Sequence, residues 1–208
     1  MATKEEHSIW PERAYPDLHD HLKSLEDAGL LITVDRPINK DTEMHPLVRW
    51  QFRGGIAEPD RKAFLFTNVT DTKERKYDIP VAVGVLAANR EIYRIGMGCE
   101  LDKIDETWAK ARENPIEPKV VERARCQEIV IEGEDLDKVG NGLDAIPVPI
   151  STPGWDISPY TTLSQYITKD PDTGVQNMGN YRGQVKAQRR LGMNPSLELR
   201  PGIYTHWQ

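Results

Sequence analysis

The stretch from Tyr160 to Gln184, YTTLSQYITKDPDTGVQNMGNYRGQ, decides the architecture of the second half of the chain. Tyr160–Thr168 alternates and is rich in β-branched and aromatic residues, which is the pattern of a strand. Asp170-Pro-Asp-Thr-Gly174 then brings turn chemistry: an aspartate able to bond its own backbone, a proline with fixed φ, and a glycine free to take positive φ. A hairpin turn with a partner strand after it is predicted. On that partner strand Asn177, Gly179 and Tyr181 share one face, while Met178, Asn180 and Arg182 share the other. Glycines set among polar residues permit close approach of backbone to a ligand. Arg182 has the fork geometry to grip a carboxylate or phosphate with two parallel hydrogen bonds. It reads equally well as a structural arginine paired with one of the 33 acidic residues, such as Glu128 or Asp156, and the residues alone leave both open.

Working outward, a proline-rich crossing (Ile146–Pro153) precedes this stretch, and Cys126–Ile131 before it has the composition of a strand. Asn114-Pro-Ile-Glu-Pro118 is the clearest linker. The first half has a different rhythm. Leu18, Leu22 and Leu25 fall at helical spacing from Asp17, Gly29 stops that helix, and Leu30–Val34 is a strand. A second helix is predicted from Thr42 as cap through Phe52, with Met44, Leu47, Val48 and Phe52 as its buried stripe. Ala63–Asn68 and Pro80–Val85 are strands, the second apolar enough to be covered on both faces. Asn89 caps a further helix, and another covers Asp102–Arg112. The fold class expected is α+β, with an α/β domain over 1–115 and an incomplete, mainly β domain over 120–208.

Composition narrows the function classes. The 208 residues are 38% hydrophobic and 29% charged, which excludes collagen-like, disulfide-scaffold and wholly disordered chains. Cys99 and Cys126 have no metal-site spacing and suit thiols in a reducing compartment. Ile79–Ala88, the longest apolar run, is half a membrane span, and the N-terminus has no apolar leader. A net charge of −6 argues against a nucleic-acid binder, and the basic run Lys186–Arg190 has no aromatic residues interleaved for stacking. A cytoplasmic protein with no nucleic-acid or membrane partner is expected. His19 and His21 read as solvated helix positions and His45 as a surface position. His206 stands alone in the C-terminal half; by itself such a histidine is more often a satisfied residue than a ligand. Neither Gly54-Gly55 nor Gly96-Met-Gly98 matches a dinucleotide or phosphate loop, and no serine-hydrolase, zinc-protease or kinase signature occurs.

With these residues in view, the chain resembles the N-terminal part of a UbiD-family (de)carboxylase. Leu22–Pro37 (LKSLEDAGLLITVDRP) is similar to the family's opening helix, strand and Asp-Arg-Pro turn. Ala63–Val69 (AFLFTNV) resembles its apolar strand, and Pro147–Pro153 followed by Pro159–Thr162 its entry into the cofactor domain. Most specific is Asn177–Gln184 (NMGNYRGQ), similar to the family's Asn-x-Gly-x-Tyr-Arg-x-Gln strand, with His206-Trp207 resembling the second ligand position.

The resemblance implies that residues 120–208 begin a split-barrel domain for prenylated FMN, held through a divalent metal (Mn2+) with K+ nearby. It implies Asn177 and His206 as metal ligands, Asn180, Tyr181 and Arg182 as cofactor-binding residues, and Arg182 as the catalytic arginine. The reaction implied is reversible, non-oxidative decarboxylation of an aromatic or α,β-unsaturated carboxylic acid. Family members are more than twice this length and carry their glutamate metal ligand and acidic proton-transfer residues downstream of the His206 position. The expectation is therefore an N-terminal fragment or subunit, inactive alone, and a homo-oligomer when complete or completed by a partner chain. Two further readings stand beside it: a non-catalytic module of a separately encoded decarboxylase, and a plain FMN-binding split-barrel protein.

Overall fold

Asp17 opens the first helix by accepting hydrogen bonds from the backbone N–H groups of His19 and Asp20, and α1 runs Leu18–Asp27. The structure, a computed structural model, describes residues 17–117, 119–122, 127–196, 198–199 and 201–207. Gly29, at φ +67°, turns the chain out of α1 into β1 (Leu31–Val34). There follow β2 (Ile38–Asn39), α2 (Met44–Arg53), β3 (Ala63–Phe66), β4 (Val69–Thr70), β5 (Lys76–Tyr77) and β6 (Val81–Val83). Asn89 caps α3 (Arg90–Met97) through the Ile92 N–H, Gly98 closes it in the left-handed region, and α4 spans Ile104–Glu113. After two 3-10 turns, Gly133–Asp137 and Gly142–Ala145, come β7 (Tyr160–Thr161), β8 (Gln165–Lys169), β9 (Gln176–Asn180), β10 (Gly183–Ala187), β11 (Arg190–Gly192) and α5 (Gly202–Trp207). The class is α+β, as expected.

The chain folds as two compact units. The first takes residues up to 37, 47–69 and 78–128; the second takes 38–46, 70–77 and 129 onward. In the first, β3 lies between β1, parallel to it, and β6, antiparallel, so Phe64 stands opposite Ile32 on one side and Val83 on the other. Its core is Leu25, Leu30, Ala63, Val85, Ala88 and Ile92, with Leu22, Leu31, Ala82 and Ile95 packed against it. At ~0.8 kcal/mol per buried CH2, this cluster is the main apolar contribution to that unit. In the second unit, β11–β10–β7 form one sheet, β8–β9 a separate hairpin, and β2–β4–β5 a third small sheet.

Several expectations are corrected. His21 is buried, not solvated: its Nε2 lies 2.6 Å from the Val85 carbonyl, which requires Nε2 to carry the proton. His45 is half-buried. Asn39, not Thr42, caps the approach to α2, its side chain accepting from Asp41 and Thr42 N–H while Glu43 accepts from Asn39 N–H. The α2 stripe buries Met44 and Val48 but leaves Leu47 and Phe52 substantially exposed. Gln51 is buried in their place, because its amide both donates to the Lys62 carbonyl and accepts from the Lys62 N–H. No strand forms over 127–131, where Ile129 and Val130 are exposed and have no partner strand to pair with; Cys126 lies outside the described residues. The strand expected over 160–168 is divided into β7 and β8, which join different sheets. Among the described residues no helix is long and apolar enough to cross a membrane.

Candidate functional site

The turn chemistry of Asp170–Gly174 performs as its residues require. The Asp170 carboxylate accepts from the N–H groups of Asp172 and Thr173, and Gly174 takes φ +75°. The Thr173 backbone N–H, with smaller help from its side chain and from His206, holds the Asp170 carboxyl below its usual range. The hairpin so formed registers Thr168 opposite Asn177 and Tyr166 opposite Gly179. Alternation then puts Tyr166, Thr168, Asn177 and Gly179 on the half-buried face, and leaves Ile167, Met178 and Asn180 on the exposed one.

The half-buried face meets α5. Gly202 and His206 are four residues apart on that helix and therefore share a face. A Cβ on Gly202 would stand 2.6 Å from Asn177 Cγ, so glycine is what allows the Asn177 amide to lie against the helix. One turn on, His206 Nδ1 is 2.8 Å from Thr168 Oγ1. Asn177 and His206, 177 and 206 in sequence, are thus brought to one helix face through a glycine and a threonine. The Asn177 Nδ2 is buried and has no hydrogen-bond partner among the described residues. An orphaned buried donor costs ~1–3 kcal/mol, so it marks a place where a ligand atom belongs. An amide and an imidazole are donors suited to a hard-to-borderline divalent cation, and the amide's unpaired N–H suits an anionic oxygen beside it. Among the described residues no group of three His, Cys, Asp or Glu could hold a metal, so the pair relies on its amide and would need further ligands.

Tyr181 and Arg182 fall just beyond β9, between it and β10. Tyr181 folds back over Gly179, where any Cβ would collide with its ring. The ring packs edge-on to Tyr166 at 5.9 Å, and its hydroxyl accepts from the Ile203 N–H of α5. Tyr181 thereby stays on the Asn177 face, as the alternation predicts. Arg182 leaves on the other side. Its guanidinium lies 5.2 Å from the Tyr160 ring centroid and has no ion pair among the described residues; Asp156 instead accepts from the Thr152 N–H. Asn180, Tyr181 and Arg182 line one cavity of about 610 Å3, together with Tyr160, Gln184 and Lys186. A second cavity of about 740 Å3 is lined by His206, Thr168 and Trp207, and both cavities share Gly192, Met193 and Pro195 as lining.

The sequence reading missed Thr168, Gly202 and Tyr160. The first two have no local signal, since they matter only through a contact between hairpin and helix. Also missed is a buried charge cluster in the second unit. Lys40 Nζ and Asp41 pair at 2.6 Å with almost no exposure, and Asp71 accepts from the Arg75 Nε and N–H, the Lys73 N–H and the Tyr77 hydroxyl. Arg75 also reaches Asp144 at 3.1 Å.

Comparison with known proteins identifies the domains. Residues 22–112 match the 3-octaprenyl-4-hydroxybenzoate carboxy-lyase N-terminal domain, and residues 119–208 match the Rift-related domain of the same family. An uncharacterised protein of Aquifex aeolicus (strain VF5) is 30% identical over 218 residues, covering 93% of this chain and 41% of its own. Among solved structures, an evolved dimeric form of the UbiD-class enzyme HmfF from Pelotomaculum thermopropionicum, in complex with prFMN, is 27% identical with a TM-score of 0.73. That match covers 90% of this chain and 39% of the other. The 3,4-dihydroxybenzoic acid decarboxylase of Enterobacter cloacae is 25% identical, with a TM-score of 0.72 over 90% of this chain and 38% of its own. The chain thus spans about 40% of the length of the relatives it matches.

Proposed function

Because the chain belongs to the UbiD carboxy-lyase family, with the N-terminal and Rift-related domains in series, we propose that it supplies the N-terminal portion of a prenylated-FMN-dependent decarboxylase. The substrate class is an aromatic or α,β-unsaturated carboxylic acid, and the reaction a reversible, non-oxidative loss of CO2. The observation that carries the reading is the convergence of Asn177 and His206 on one face of α5, with the Asn177 amide buried and unsatisfied.

In this proposal Asn177 and His206 ligate Mn2+, with K+ nearby, at the cofactor's phosphate. The hydrogen bond between His206 Nδ1 and Thr168 Oγ1 fixes the ring, and with Nδ1 so engaged Nε2 would be the ligating nitrogen. The Asn177 amide would offer its carbonyl oxygen to the cation, and its unpaired N–H2 could donate to an anionic oxygen of the cofactor. Asn180, Tyr181 and Arg182 line the flavin and substrate cavity. When bound, the prenylated flavin supplies the electron sink for cleavage of the C–C bond. Arg182 orients the departing carboxylate with two parallel N–H donors, a geometry lysine cannot reproduce. The Tyr160 ring holds that guanidinium without neutralising it. The remaining acidic ligand and the proton-transfer groups come from residues outside this chain, in a longer polypeptide or a partner chain, and the completed assembly is a cytoplasmic oligomer. Alone, the 208 residues turn over no substrate.

The test is made in that completed assembly, loaded with prenylated flavin. Asn177→Ala and His206→Ala each lower metal-dependent flavin retention by ~10–100-fold. Arg182→Lys keeps the flavin absorbance and the melting temperature while losing most CO2 release. Unchanged flavin occupancy in both ligand variants rejects the metal assignment, and full turnover in Arg182→Lys rejects the catalytic one.

A further inference from the structure

The cavity beside Arg182 has an unusual charge balance for an acidic chain. Its lining is Arg182 and Lys186, three amides (Asn180, Gln184 and Asn194), two tyrosines and a short run of small and apolar residues. Among the described residues no carboxylate lines it, although the chain as a whole is at −6. Neither cation has an ion pair among the described residues.

The sheet explains how the two cations come to share the cavity. Gln184 on β10 is opposite Tyr160 on β7 and Gly192 on β11. Arg182 precedes β10 and Lys186 sits at a register irregularity between Val185 and Ala187, yet both line the cavity together with buried Gln184. Fully extended chain would put the Cα atoms of 182 and 186 at most roughly 13 Å apart, within the reach of an arginine and a lysine toward two ends of one small ligand. Each side chain is placed by its neighbour across the sheet. Tyr160 underlies the guanidinium, and the Lys186 stem lies over Gly192, where a Cβ would stand 2.9 Å from Lys186 Cε. Gly192 thus leaves the space that lets the lysine lie flat along the cavity wall.

We propose that Lys186 is a specificity-determining residue, and that the cavity selects acids carrying a second anionic group: one carboxylate on Arg182, the other on Lys186. This deepens the reading given under Proposed function and rests on it, since it takes Arg182 as the carboxylate-binding group. A monoacid would leave the ammonium without a partner, whereas a dicarboxylate on a small ring satisfies both cations at once. Lys186 is exposed, so the discrimination is modest, about fivefold in affinity.

The test uses the full 208-residue chain and measures binding directly, by calorimetry or NMR titration, with no turnover involved. Benzoate, benzene-1,3-dicarboxylate and FMN are the probes. The wild-type chain binds the dicarboxylate about fivefold more tightly than benzoate, and Lys186→Gln removes that difference while leaving benzoate unchanged. Arg182→Gln weakens both acids. The proposal is overturned if the two acids bind equally, if neither binds, if the preference survives in Lys186→Gln, or if that variant weakens FMN alone. Should Arg182→Gln leave benzoate binding intact, the carboxylate role of Arg182 falls instead. The two failures are therefore distinguishable.

Discussion

Residues 17–117 and 129–207 are built on different physical principles. The first stretch holds the apolar cluster in which Leu25, Ala63 and Ile92 have no solvent exposure. The second, which carries every candidate site residue, buries little apolar surface of its own: Val148 is 7% exposed, while Trp155, Ile157, Leu199 and Trp207 are each more than 80% exposed. What orders it is polar and close-packed contact, namely the Asp170 turn, the Thr168–His206 bond, and glycines 179, 183 and 202 against side chains. The lesson is that a scaffold and a site are stabilised by different forces, so substitutions should separate them.

The largest effect belongs to the first region. Ile92→Ala leaves a cavity in the cluster and should cost ~2–5 kcal/mol, read from urea denaturation. Val148→Ala should cost clearly less; the reverse order would break the contrast. Next comes the charge cluster of the second unit. Asp71→Asn removes a buried acceptor of four hydrogen bonds and should cost about 2–3 kcal/mol at neutral pH. Burial pushes the Asp71 carboxyl up, but hydrogen bonds from the Arg75 side chain and N–H, Tyr77 and Lys73 outweigh it and hold the group below its ordinary value. A carboxylate so depressed contributes stability above an unfolded value of ~3.9 and loses it as pH falls through the lower native value. Wild type should therefore lose stability below about pH 4, and Asp71→Asn should lack that part of the loss. An identical acid limb in both would show that Asp71 is not its source. The smallest effect on stability is Thr168→Val, under ~1 kcal/mol, because it removes one half-buried hydrogen bond at constant shape. It should still shift the His206 ring resonances and lower metal-dependent flavin retention about tenfold in the completed assembly. Unmoved His206 resonances would remove Thr168 from the site.

Features that rest on neighbouring residues were legible in the sequence. The Asp17 and Asn89 caps, the Gly29 stop, the hairpin at Asp170–Gly174 and the alternation that separates Asn177 from Met178 all follow from chemistry within a few positions. Features that rest on distant contacts were not. The His21 ring is buried because Val85 supplies a carbonyl from far along the chain. Gln51, which the expected apolar stripe of α2 did not include, is buried because the Lys62 backbone satisfies its amide on both sides. Cys126–Ile131 has strand composition, yet 127–131 has no edge to pair with, and composition cannot reveal a missing neighbour. Within the site, Asn177, Arg182 and His206 were found through family resemblance, whereas Thr168 and Gly202 had no local signature.

The chain passes back and forth between its two units, so parts of the second are made before the first is complete. Residues 38–46 and 70–77 belong with the later-made half, yet they lie on either side of β3, which must pair with β1 to complete the earlier half. As the polypeptide leaves the ribosome, β1, β3, β6 and α3 can gather their apolar cluster while those two segments have only each other to pair with, through β2–β4–β5 and the Thr72–Asp41 bonds. Arg75 then waits for Asp144, made almost seventy residues later, to become its second carboxylate partner. Slow elongation past Asp144 would prolong the interval in which the two segments are open to chaperones and proteases.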